Sequence, residues 1–127
     1  MKMRNQSRIF AFKIIFAVLF ENDQNVGEDI FHTDVKLDSK AEEFALELVN
    51  NFLSNKQDLE KKVAGLVEGY ELNRIFKVDL ALIYLALTEI EYIKTPKPVV
   101  VSEIVEIAKK FSTEKSSKFI NGVLAKV

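Results

Sequence analysis

The stretch Val99-Val-Val-Ser-Glu-Ile-Val-Glu-Ile-Ala-Lys-Lys-Phe111, then Ser112-Thr-Glu-Lys115, then Ser116-Ser-Lys-Phe-Ile-Asn-Gly-Val-Leu124, decides the fold. Ile104, Val105 and Ala108 line one face of a first helix, and the polar Ser112–Lys115 break separates it from a second amphipathic helix over about Ser116 to Lys126. Two details do not suit a helix that only packs. Asn121-Gly122 interrupts the second helix, where an interior glycine costs about 1 kcal/mol relative to alanine. Phe119 stands among Ser116, Ser117, Lys118 and Asn121, an aromatic beside a polar, basic strip.

The rest of the chain continues the helical pattern. Two prolines and four glycines favour long helices, and no stretch alternates apolar and polar residues convincingly enough for a strand. A first helix is expected from about Gln6 to Phe20, apolar around most of its circumference and so deeply buried. A short helix is expected around Glu28 to Phe31. Ser39-Lys-Ala-Glu42 reads as a capping box opening a helix with Phe44, Leu48 and Phe52 in one stripe. Asn55 is the expected cap of a helix carrying Leu59, Val63, Leu66 and Val67 and ended by Gly69. A turn of helix is expected over Leu72 to Phe76, and the central, most apolar helix from Lys77 or Val78 to Ile93. Pro96 and Pro98 stop that helix and stiffen the turn after it. The expectation is an all-α, compact bundle of about seven helices in two small lobes, a single domain over residues 1–127.

Composition narrows the function classes. A chain of 127 residues, 48% hydrophobic and 29% charged, can bury one substantial core. It has no cysteine, which excludes disulfides and thiolate metal sites. The basic start and the apolar run Ile9–Phe20 mimic a secretion signal, but Lys13 interrupts the run and no small-residue cleavage site follows. No segment reaches the roughly 18 apolar residues of a membrane span, so a cytoplasmic protein is expected.

The net charge of −1 conceals an asymmetry. Residues 1–20 carry four basic residues (Lys2, Arg4, Arg8, Lys13) and no acid, and residues 94–127 carry seven lysines against three glutamates. Residues 21–93 hold sixteen acids against seven basic residues. If the termini meet in space they form one positive face; the plain alternative is a set of solvated helix faces with no partner.

An enzyme needs converging nucleophile, base or metal ligands. His32 is the one histidine, the glycines at 27, 65, 69 and 122 form no phosphate loop, and no metal-ligand spacing occurs. No cofactor is expected. What remains is a basic and aromatic constellation suited to single-stranded RNA, which is held by cations at phosphates and by flat side chains stacked on bases. Arg4, Arg8, Lys115, Lys118 and Phe119 supply both elements, and Asn121 can hydrogen-bond a base edge or backbone. The alternative places Phe119 in the core with Ile120, Val123 and Leu124. Gly122 either admits the close approach of the first helix, the better reading, or clears space for RNA.

Four segments in order resemble the NusB family of bacterial transcription antitermination factors: Ser7-Arg8 with Ala11 and Phe16; Val78-Asp79 followed by an apolar run to Glu89-Ile90; Pro96 with Val99, Val101, Glu103 and Ala108–Phe111; and Ser116–Leu124. The sequence departs from the family's opening arginine cluster at Asn5 and Gln6, and Tyr84 stands where a basic residue is common. The resemblance implies a NusB-like helical fold and a non-catalytic factor that binds boxA RNA. It also implies a heterodimer with the ribosomal protein NusE, within an antitermination complex on RNA polymerase, supporting ribosomal RNA synthesis. Asp79 is the position it marks for partner contact. Similar domains occur fused to RNA cytosine methyltransferases, but the chain has no catalytic cysteine. The remaining alternative is a helical interaction module or homodimer without RNA.

Overall fold

From Leu80 to Leu87 there is no charged side chain, and a helix apolar on every side must be surrounded by others. In the computed structural model of the chain this segment is the central helix. The structure describes residues 2–19, 37–67, 69, 71 and 74–127. They form six α-helices: α1 (Lys2–Leu19), α2 (Ser39–Ser54), α3 (Lys56–Leu66), α4 (Lys77–Thr88), α5 (Lys97–Phe111) and α6 (Glu114–Leu124). The described residues include no strand, and their helix count is six rather than seven. The helix expected around Glu28–Phe31 lies outside them. Of the turn expected over Leu72–Phe76, Leu72 and Asn73 lie outside; the described part is a single turn in which the Arg74 amide donates to the Glu71 carbonyl at 2.9 Å.

Every α4 side chain from Asp79 to Thr88 is buried, and all five other helices pack on it. Its last turn widens into a π-turn, Glu89–Ile93, which closes at Lys94 in the left-handed region at φ 68°. Thr88 prepares this change by turning its hydroxyl onto the Tyr84 carbonyl at 2.7 Å, a back-bond that disturbs the regular ladder. The core around α4 includes Leu48 and Phe52 of α2, Leu59 and Val63 of α3, Ile104 of α5 and Ile120 of α6, each with no exposed surface. Helix α1 contributes a narrower stripe than its composition suggests. Arg8, Ala11, Phe12 and Ile15 are buried, whereas Ile9, Phe10 and Ile14 on its other side are only partly covered. The expected deep burial of this helix is corrected accordingly.

Helix starts follow the available caps. The Asp38 carboxylate, not Ser39, accepts from the Ala41 amide at 2.8 Å, so Asp38 caps α2. Asn55 spends its side-chain amide on the Asn51 carbonyl at 2.8 Å and so finishes α2; it makes no side-chain cap for α3. Helix α3 ends at Leu66, and Gly69 stands in the following turn at φ 90°, a conformation glycine adopts without penalty. Pro98 lies in the first turn of α5, where a missing N–H costs no helical bond. The last helix starts two residues before the expected Ser116, because the Thr113 hydroxyl accepts from the Ser116 amide at 3.1 Å.

Candidate nucleic-acid interface

The Thr113 cap fixes the rotation of α6. Ile120, Val123 and Leu124 turn inward together with Ser116 and Ser117, and Lys115, Lys118 and Asn121 are exposed. Lys115 and Lys118 are three residues apart and Lys115 and Phe119 four, so all three share one face. Phe119 is half-buried, packed against the core with part of its ring at the surface. The expectation that Phe119 belongs to the core therefore holds in part. Gly122 does not admit α1: it is exposed, and a Cβ added there would meet nothing within 4 Å. The packing reading of this glycine is corrected.

Helix α1 brings its two arginines to different environments. Arg4 is exposed, its guanidinium 4.7 Å from the centre of the Phe44 ring, a cation held over an aromatic face. Arg8 is 2% exposed, and Glu89, at 0%, takes its Nε and Nη2 donors on two carboxylate oxygens, each at 2.7 Å. A buried guanidinium without such a partner would be too costly to keep. The expectation that Arg8 meets a phosphate is corrected: its donors are engaged inside the protein, and its work is to fix α1 against the π-turn. Glu89 had no place in the sequence reading of the site. The signal was present, since a carboxylate closing the most apolar run of the chain requires a buried cation.

Asp79 is also inside, 4% exposed. It occupies the first turn of α4, and its carboxylate accepts from the Ser112 hydroxyl at 3.2 Å; Ser112 in turn lies 2.7 Å from the Ser116 hydroxyl. Burial raises its pKa above the usual 3.8, and hydrogen bonds from Ser116 and Ser112 pull it part of the way back. The expectation of direct partner contact through Asp79 is therefore corrected. What its carboxylate touches is the α5–α6 junction.

The two basic termini do not lie side by side. Helix α1 packs mainly on α2 and α4, and α6 on α5 and α4. The link between them runs through Phe111 at the end of α5, whose ring centre is 5.6 Å from that of Phe12. Two ammonium groups approach the same ring, Lys13 Nζ at 5.6 Å and Lys110 Nζ at 5.5 Å from its centre. The described residues contain no cluster of potential metal ligands; His32 lies outside them. No helix among them is long and apolar enough to cross a membrane.

The model of the NusB family matches residues 5–127. The chain belongs to the NusB family. Among its relatives is a transcription antitermination protein NusB from Macrococcus caseolyticus, 35% identical over 98% of this chain and 95% of that protein. A protein of the same name from Chloroherpeton thalassium is 37% identical over 95% of this chain, which spans only 59% of that longer relative. The solved T. maritima NusB superposes with a TM-score of 0.83 at 32% identity, covering 97% of this NusB-family chain and 88% of the other. A structure of NusB and NusE in complex with double-stranded RNA shares the fold, with a TM-score of 0.85 at 22% identity over 99% of this chain and 96% of that one.

Proposed function

We propose that this NusB-family chain is a non-catalytic transcription antitermination factor that binds boxA-type single-stranded RNA together with ribosomal protein NusE. In this reading it works in the cytoplasm, within an antitermination complex on RNA polymerase, and supports ribosomal RNA transcription. The observation that carries the RNA half is the single face of α6 on which Lys115, Lys118 and the partly exposed Phe119 lie together. Phosphates meet the lysines and a base stacks on the ring. Arg4 on its Phe44 platform adds a cation, and Asn121 a hydrogen-bonding amide.

The partner half rests on family membership, on the fold shared with the NusB–NusE complex, and on charge. Residues 21–93 are strongly acidic, a complement to a basic ribosomal protein. Helix α2 exposes Leu46 and Leu53, two turns apart, beside Glu42, Glu43 and Glu47, a combination suited to a protein surface with apolar and basic groups. Asp79 acts on that interface indirectly, by setting the α5–α6 junction. In this reading the chain is a single RNA-binding domain with two lobes, α1–α3 and α5–α6, sharing α4. A second reading, a homodimer or interaction module without RNA, uses the same exposed leucines.

Titrating a fluorescent boxA-type RNA with the protein, alone and with NusE, tests the proposal. RNA binding that tightens when NusE is present is expected. Binding of NusE with no RNA affinity in either mixture would favour the second reading.

A further inference from the structure

The half-exposed side of α1, Leu37 and the end of α5 line a pocket of about 150 Å³ that is partly open to solvent, and α6 takes no part in it. Gln6, Phe10 and Lys13 of α1 face Lys110 and Phe111 of α5 across this space. A space of that order accommodates a benzene-sized ring. Phe111 is 36% exposed although it closes an amphipathic helix, and it rests on Phe12 without being covered by it. Two ammonium groups, of Lys13 and Lys110, lie within 5.6 Å of the centre of the Phe111 ring.

We propose that this cavity is a nucleobase subsite: an unstacked base of a single-stranded RNA seats against Phe111, and Lys13 and Lys110 meet the phosphates on either side of it. The inference rests on the RNA reading above and extends it to a second aromatic position, one that the sequence reading includes in the family pattern without giving it a role. The chemistry favours a nucleotide over an apolar peptide side chain. An apolar occupant would satisfy Phe10 and Phe111 but would bring the two ammonium groups no counter-charge. A nucleotide supplies a flat ring for the aromatic wall, anions for the lysines and a polar edge for the Gln6 amide. The position also suits a continuous strand. Phe111 and Lys115 are four residues apart, so their Cα atoms are separated by no more than about 14 Å. One strand passing from the cavity to the α6 face therefore explains how α1 and α6 contribute to one site without touching along their lengths.

The test is a scan with single abasic positions along the short RNA used above, NusE present throughout, on wild type and on Phe111→Leu. Leucine keeps an apolar contact for Phe12, and circular dichroism reports the fold. Wild type is expected to lose roughly one to two orders of magnitude in affinity at one abasic position, beyond any loss at the Phe119 contact. Phe111→Leu should show that loss already on intact RNA and no further loss at the same position. Equal abasic profiles in the two proteins would overturn the subsite while leaving the RNA reading intact. No binding of intact RNA by wild type would overturn both. Should Phe111→Leu not fold, the exposed Lys110→Ala variant decides: the slope of log K against log salt should become shallower by about 0.7, and an unchanged slope would overturn the subsite.

Discussion

The guanidinium of Arg8 and the carboxylate of Glu89 form a two-pronged ion pair, both contacts at 2.7 Å, in the closed interior of the protein. They lie 81 residues apart in sequence, one on the first helix and the other on the π-turn that ends the central one. Glu89 is the first residue of the π-turn, still at helical backbone angles (φ −67°, ψ −42°), and its carboxylate reaches across to α1. The consequence for function is positional. Arg4, one turn before Arg8, is carried to its place over Phe44 by the same anchor.

Removing one partner should therefore cost more than removing both. Glu89→Ala leaves a buried, unpaired guanidinium and is expected to destabilise the protein by about 3–5 kcal/mol. The double variant Arg8→Met/Glu89→Leu should recover most of that loss. Urea unfolding of Arg8→Met, Glu89→Leu and the double variant provides the cycle. Additive losses would show that the pair is energetically uncoupled.

Leu85 tests the centrality of α4. It has no exposed surface and lies where the helix is enclosed on all sides. Leu85→Ala is expected to cost about 2–5 kcal/mol, in contrast with Leu53→Ala at the exposed face of α2, which should change stability by less than about 0.5 kcal/mol. Thermal melts of the two variants under one set of conditions would settle the order, and equal losses would count against the packing described.

Asp79 gives stability a particular pH dependence. Its native pKa is raised by burial, so between the ordinary value of 3.8 and the native value the folded state holds the proton that the unfolded state has lost. Stability from this group therefore falls as pH rises through that window, and the loss persists above it. Asp79→Asn keeps an oxygen to accept from Ser112 and removes the charge. The stability of Asp79→Asn relative to wild type should rise from below pH 3.8 to neutral pH. A difference independent of pH would mean that the carboxylate is solvated in the native state.

Much of this architecture was legible in the sequence, for physical reasons that differ by element. The central helix declared itself because ten successive buried positions cannot be polar without compensation. Helix starts were legible only to within a few residues, since Asp38, Ser39, Thr113 and Ser116 are all competent caps and the choice depends on backbone geometry. The two exposed lysines and half-buried aromatic of α6 stood out as a basic and aromatic strip, a reading to which the family resemblance gave most of its weight. Arg8 was misplaced because a cation in a helix reads as a surface charge until its partner is located, and the position of Glu89 calls for a buried cation without saying which one. Phe111 was passed over for the same reason: its role depends on Phe12 and Lys13, which only the fold brings beside it.

The central claim is that RNA is held by the exposed cations around Phe119, with Arg8 confined to the interior. The most direct measurement is the salt dependence of RNA binding, in the presence of NusE, for wild type, Arg8→Lys and Lys115→Ala/Lys118→Ala. For single strands each phosphate contact contributes about −0.7 to the slope of log K against log salt, so removing the two lysines should make the slope shallower by about 1.4. Folded Arg8→Lys, its charge retained inside, should keep the wild-type slope. A wild-type slope in the double lysine variant would contradict the account.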